Sequence, residues 1–140
     1  MIKVAICDDD IQFIYKLEQS IFRFAEMKRI KVDVDGYTSG AEFIQKLQQS
    51  ERYDLLFLDI ELGDSSGIIV GNWIRSQIQY ESMQIVFVSA KEMYAMQLFD
   101  LRPMNFLVKP IQQERVDYIL DEYERLYQFQ PHIIEIGKGR

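Results

Sequence analysis

The sequence predicts a single doubly wound α/β domain, a five-stranded parallel sheet with five helices on its two faces. Three observations predict it. Leu55-Leu56-Phe57-Leu58 is an unbroken apolar run ending on Asp59, the pattern of a strand buried on both faces. Ile2 to Cys7 is a second such run, broken only by Lys3, and it stops on Asp8-Asp9-Asp10. Around them, strand-like and helix-like stretches alternate along the whole chain, which short right-handed crossovers fold into one parallel sheet.

After the first strand, Ile14, Leu17, Ile21, Phe24 and Ala25 recur at helical spacing among charged residues. This predicts an amphipathic helix with one face on the sheet. Asp10 stands where a cap for that helix belongs. Ile30 to Tyr37 alternates apolar and polar residues, so it reads as a strand nearer an edge. Ser39, with Glu42 three residues later, forms a capping box ahead of Ala41, Ile44 and Leu47. The central strand, Asp54 to Asp59, leads into a glycine- and serine-containing loop, Ile60 to Gly67. Ile68, Gly71, Ile74 and Ile78 then mark the buried stripe of a third helix. Gln84 to Val88 is the fourth strand, ending on Ser89-Ala90. Lys91 to Leu101 is weakly periodic and reads as a fourth helix. Asn105 to Val108 is a short fifth strand ending on Lys109-Pro110, and Val116, Ile119, Leu120, Tyr123 and Leu126 line a fifth helix.

Length and composition bound the function. A chain of 140 residues is one domain by size. Its net charge of -6 argues against this domain gripping the nucleic-acid backbone by itself and suits one that gathers cations or meets a basic protein surface. Cys7 is the only cysteine, which excludes a disulfide framework and makes it a small core hydrophobe. No stretch approaches membrane-spanning length and no signal peptide opens the chain, so a soluble, cytoplasmic protein without membrane contact is expected.

The strand ends carry the chemistry. In the strand order 2-1-3-4-5 a crevice opens where strands one and three diverge, and Asp8, Asp9 and Asp59 would project into it. Three carboxylates that close repel, and one would protonate unless a cation neutralises them. A hard divalent ion answers this. Mg²⁺ fits best, since it keeps several waters and takes few carboxylates plus phosphate oxygens. Lys109 ends strand five with an ammonium, and Ser89 ends strand four with a hydroxyl beside the small Ala90. Phosphoryl transfer needs mainly positioning and charge neutralisation, so Asp59 is a plausible nucleophile towards phosphorus.

These residues resemble the receiver domains of two-component response regulators over Met1 to about Gln128. Asp8 and Asp9 match the acidic pair, Asp59 the phosphoacceptor, Ser89 the Ser/Thr position, Lys109-Pro110 the lysine and its following proline, and Phe106 the aromatic switch position. The phrase from Arg102 to Pro110 and the Ile-Cys-Asp-Asp opening are similar to the LytTR-type subgroup. The resemblance implies a phosphoryl group accepted from a histidine kinase onto Asp59. It implies Mg²⁺ held by Asp9, Asp59 and the main-chain carbonyl of Glu61, with Asp8 acting through water. It also implies a cis Lys109-Pro110 bond, an inward movement of Ser89 and then of Phe106, and a homodimer through the face of helix four, strand five and helix five. Members of the subgroup carry a DNA-binding domain after the receiver. That fits a division into a receiver at 1–128 and a linker plus the start of that domain at 129–140, where His132 to Ile136 begins a strand-like run.

Plainer readings stand beside these. An aspartate after a strand often only caps the next helix. Glu61 and Lys91 would by default form a solvated ion pair, or else tune how water reaches a phosphorylated Asp59. Phe106 would be an ordinary core aromatic. Ile69 and Trp73, and the excess of apolar side chains among Met93, Tyr94, Met96, Leu98 and Phe99, either fill the core or face a partner. Rival functions are a phosphatase of the haloacid-dehalogenase type, a flavin carrier, and a scaffold that is never phosphorylated. The first would need a threonine after the acidic pair. The second would want Ser, Thr and Gly amides where three aspartates stand.

Overall fold

Five strands lie parallel in the order β2-β1-β3-β4-β5 in the computed structural model, which describes residues 1–128 and, for 93–95, the backbone alone. They are β1 (Ile2–Cys7), β2 (Val32–Tyr37), β3 (Leu55–Asp59), β4 (Gln84–Ser89) and β5 (Asn105–Val108). The helices are α1 (Ile11–Lys28), α2 (Gly40–Gln48), α3 (Gly67–Arg75) and α4 (Gln113–Tyr123), and a 3-10 segment (Glu92–Leu101) occupies the fourth crossover. This is the predicted doubly wound architecture, with α4 standing as the fifth helix of the sequence pattern.

Strand alternation sorts the core into two layers. Ile2, Val4, Ile6, Leu55 and Phe57 meet Leu17, Ile21 and Phe24 of α1 and Val116, Ile119 and Leu120 of α4. Ala5, Cys7, Leu56 and Leu58 meet Phe43 and Leu47 of α2, Val70 and Ile74 of α3, and Leu98 and Leu101 of the 3-10 segment. Both faces of β1 and β3 are covered, which is why their sequences read as continuous apolar runs. The predicted caps are present. Asp10 accepts hydrogen bonds from the Gln12 and Phe13 amides, and Ser39 from the Glu42 amide. The Lys109–Pro110 peptide is cis.

Three expectations need correction. Ile78 is not part of the α3 stripe: the helix ends at Arg75 and Ile78 is 83% exposed in a following 3-10 turn. Leu126 lies past the end of α4 in a π-helical turn and is partly exposed. Ile30 precedes β2, which starts at Val32. The fourth crossover is helical as expected, in 3-10 form, whose poorer hydrogen-bond geometry matches the weak periodicity of that stretch. Of its apolar residues, Leu98 is buried while Met96 and Phe99 are exposed; Met93 and Tyr94 fall among the side chains not described. On α3, Ile69 is exposed, whereas Trp73 is partly buried and packs on Tyr80.

Arg75 explains how the lower rim is closed. Its guanidinium donates to the Leu101 and Met83 carbonyls at 2.8 Å each, joining the end of α3 to the 3-10 segment and to the turn before β4. No helix among the described residues is long and apolar enough to cross a membrane. The stretch His132 to Ile136 lies outside the described residues.

Candidate functional site

The register of the sheet assembles the site. Cys7 pairs with Leu58 across β1 and β3, so the next residues of the two strands, Asp8 and Asp59, emerge side by side. Asp59 pairs with Val88, one residue before Ser89, and Ser89 pairs with Val108, one residue before Lys109. The Lys109 amide then donates to the Ser89 carbonyl at 2.8 Å. Residues far apart in sequence thus meet at one carboxyl edge of the sheet, at the point where the strand order reverses.

Asp8, Asp9 and Asp59 each bring one carboxylate oxygen within 4.8 Å of the others. Asp8 and Asp59 are buried, and Asp9 is exposed. Asp8 Oδ1 accepts from the Asp10 amide at 2.9 Å. Asp8 Oδ2 is buried and pairs with Lys109 Nζ at 2.8 Å. Lys109 Nζ is 3.9 Å from Asp59 Oδ2. Asp59 Oδ1 accepts from the Glu61 amide at 3.3 Å. Burial first, and the neighbouring Asp8 charge second, push the Asp59 carboxyl up to about 6, against the opposing pull of Lys109. With Asp59 buried beside a second carboxylate and its affinity for protons raised even with Lys109 at hand, the site is short of positive charge. Its all-oxygen donor set suits a hard divalent cation.

Ser89 is fully buried, and its Oγ accepts from the Lys91 amide at 3.0 Å. Phe106 pairs with Phe87 across the last two strands and is partly buried against the core on the α3 side. Glu61 and Lys91 form the expected ion pair, at 3.2 Å, with both side chains largely exposed. Cys7 is buried directly before Asp8, and burial pushes its thiol up to about 12, so it stays neutral.

Three contributors escaped the sequence reading. Asp64, in the loop after β3, accepts from the Gly40 and Ala41 amides at 3.2 Å each and so ties that loop to the start of α2. Gly67 opens α3 against the backbone of Asp59: a Cβ there would stand 2.2 Å from the Asp59 carbonyl oxygen. Phe13 of α1 faces the Lys109 ammonium, with 4.3 Å from Nζ to the ring centroid. Only Gly67 had a local sign, the glycine at the end of the predicted loop.

The family model described as "Response regulator receiver domain" matches residues 4–121. The sensory transduction protein LytT of Bacillus cereus is 30% identical over 131 residues, covering 93% of this chain and 50% of the relative. The chain therefore spans about half the length of that relative. The response regulatory domain of mrkE from Klebsiella pneumoniae superposes with a TM-score of 0.77 at 24% identity, covering 91% of this chain and 99% of that one. The response regulator TrrA of Thermotoga maritima, solved in complex with Mg²⁺ and BeF, does so with a TM-score of 0.71 at 23% identity over 87% and 98% of the two chains.

Proposed function

This chain belongs to the response regulator receiver domain family, and from that premise we propose that it is a switch thrown by phosphorylation of Asp59. The observation that carries the reading is the convergence of Asp8, Asp9, Asp59 and Lys109 at one sheet edge, with Lys109 Nζ 2.8 Å from Asp8 and 3.9 Å from Asp59. Asp8, Asp9, Asp59 and the main-chain carbonyl of Glu61 are the groups that would hold Mg²⁺. Once bound, the ion neutralises the carboxylates and the phosphoryl oxygens.

Asp59 attacks phosphorus while the bond to the donor's imidazole nitrogen breaks, and that nitrogen keeps the electron pair. Lys109 turns from Asp8 towards the incoming phosphoryl oxygens, compensating charge where it develops. The Ser89 hydroxyl already accepts a bond from Lys91, and its own proton can donate to a phosphoryl oxygen. Its inward movement frees space for Phe106, so phosphorylation biases two arrangements of the face made by the 3-10 segment, β5 and α4.

A histidine kinase is the implied donor, and this same face is the proposed homodimer contact. The domain turns over no external metabolite and catalyses only its own phosphorylation and dephosphorylation. The LytT relative is about twice as long as the stretch it shares. That length supports reading 1–128 as the receiver and 129–140 as a linker leading to a LytTR-type DNA-binding domain, the route to transcriptional output. The family match favours this reading over the dehalogenase-type and flavin-carrier alternatives. A cytoplasmic location follows from the kinase partner.

The test is incubation with Mg²⁺ and a small-molecule phosphodonor, followed by intact mass. Wild type is expected to gain one phosphoryl group that survives acid and is lost in base, while Asp59→Asn stays unmodified. An unmodified wild type, or turnover of a generic phosphatase substrate, contradicts the reading. Glu61 and Lys91 border the path of water to that group. Lys91→Ala is expected to change the rate of phosphoryl loss by about twofold to fivefold, the scale of an exposed ion pair. An unchanged decay curve would leave the pair as solvated charges only.

A further inference from the structure

The position of the Lys109 ammonium is set from three sides. Asp8 Oδ2 is 2.8 Å away, Asp59 Oδ2 is 3.9 Å away, and the third contact is the ring of Phe13, 4.3 Å from Nζ to its centroid. Phe13 is fixed independently of the site. It lies in the first turn of α1, its amide donates to the Asp10 cap, and its side chain packs against the α1–α4 layer of the core.

An aromatic face attracts an ammonium through its quadrupole, the more so where water is scarce, and the Lys109 side chain is 23% exposed. A carboxylate at this place would hold the ammonium by a directed hydrogen bond and draw it away from Asp59. The ring attracts the charge without occupying one of its three N–H donors. Those donors stay available for Asp8 before transfer and for phosphoryl oxygens during it.

Beside the ring lies a cavity of about 390 Å³ between α1 and the start of α4, lined by Phe13, Lys16, Lys109 and Pro110 among others. Phe13 and Lys109 both line this cavity, so a smaller or more polar side chain at position 13 would let water compete for the ammonium.

We propose that Phe13 is a positioning residue for phosphoryl transfer, its ring face holding the Lys109 ammonium in the notch between Asp8 and Asp59. The proposal rests on Asp59 being the phosphoacceptor, and it adds a residue on α1 to the machinery of that step.

The experiment measures the rate of phosphoryl uptake from a small phosphodonor with Mg²⁺, read by intact mass on the full chain. It compares wild type, Phe13→Leu, Phe13→Tyr and a series carrying one to three ring fluorines at position 13. Fluorine drains the ring face of negative potential while nearly preserving its shape. Phe13→Leu is expected to slow uptake about threefold to tenfold, Phe13→Tyr to stay within about twofold, and the fluorinated series to slow stepwise. Uptake unchanged in Phe13→Leu overturns the proposal. So does a flat fluorinated series, which would reduce the ring to a space filler and which remains informative if Phe13→Leu does not fold. A wild type that takes no phosphoryl group removes the phosphoacceptor reading itself, whereas a phosphorylated wild type with a flat series removes only the role of Phe13.

Discussion

Gly67→Ala is expected to lower the stability of the protein by about 3 kcal/mol or more and to disable the site with it. The added methyl would stand 2.2 Å from the Asp59 carbonyl oxygen, 2.9 Å from the Asp59 carbonyl carbon and 2.9 Å from Ile60 Cα. All three are backbone atoms, and none can rotate aside. The Gly67 amide also donates to the Ile60 carbonyl at 2.8 Å, so α3 cannot swing away without losing that bond. Alanine's better helix propensity, worth about 1 kcal/mol, works in the opposite direction and is too small to prevail. Gly63→Ala is the matched control. Its Cβ would meet only Asp9 Oδ2, at 3.3 Å, the free end of an exposed side chain, so a change within about 1 kcal/mol is expected. Urea unfolding of the two variants checks the contrast, and equal midpoints would show that α3 is free to move off the end of β3.

Asp59→Asn is expected to stabilise the metal-free protein at neutral pH by about 1–3 kcal/mol. Burial and the Asp8 charge raise the Asp59 carboxyl from its ordinary 3.8 to about 6. Between those values the folded protein holds a proton that the unfolded chain has released. Stability therefore falls as pH rises through this window, and the penalty is fully present above about pH 6. Asparagine carries no charge and escapes it. The expected pattern is a large gap between the two melting temperatures at pH 7.5 that closes near pH 4. Added Mg²⁺ should narrow the gap at pH 7.5 by stabilising wild type and should do little at pH 4. A gap that stays constant with pH would mean that Asp59 is not held against its charge.

Much of the fold was legible because β1 and β3 are covered on both faces and therefore spell continuous apolar runs. The acids that follow those runs were legible for the same reason, since each run stops where the sheet ends. Ile78 misled because helical spacing continues through the sequence after the backbone has turned at Ser76. The fourth crossover was legible as a helix, its weak periodicity reflecting 3-10 geometry. Asp64 and Phe13 were not legible at all. Asp64 caps a helix that begins 24 residues earlier in the chain, and Phe13 meets a lysine on the far edge strand. Such partners are set by the strand order, and no pattern local to either residue encodes them. Gly67 carried half a signal: a glycine at a loop end announces a turn, but not that the helix behind it rests on the backbone of the reactive strand.

Locating the phosphoryl group tests the central claim most directly. Borohydride reduces an acyl phosphate to an alcohol, so treatment of the modified protein followed by peptide mass mapping marks the acceptor. Conversion of Asp59 alone to homoserine, only when Mg²⁺ was present during phosphorylation, is the predicted result. Conversion of another residue, or equal labelling with the metal chelated, would contradict it.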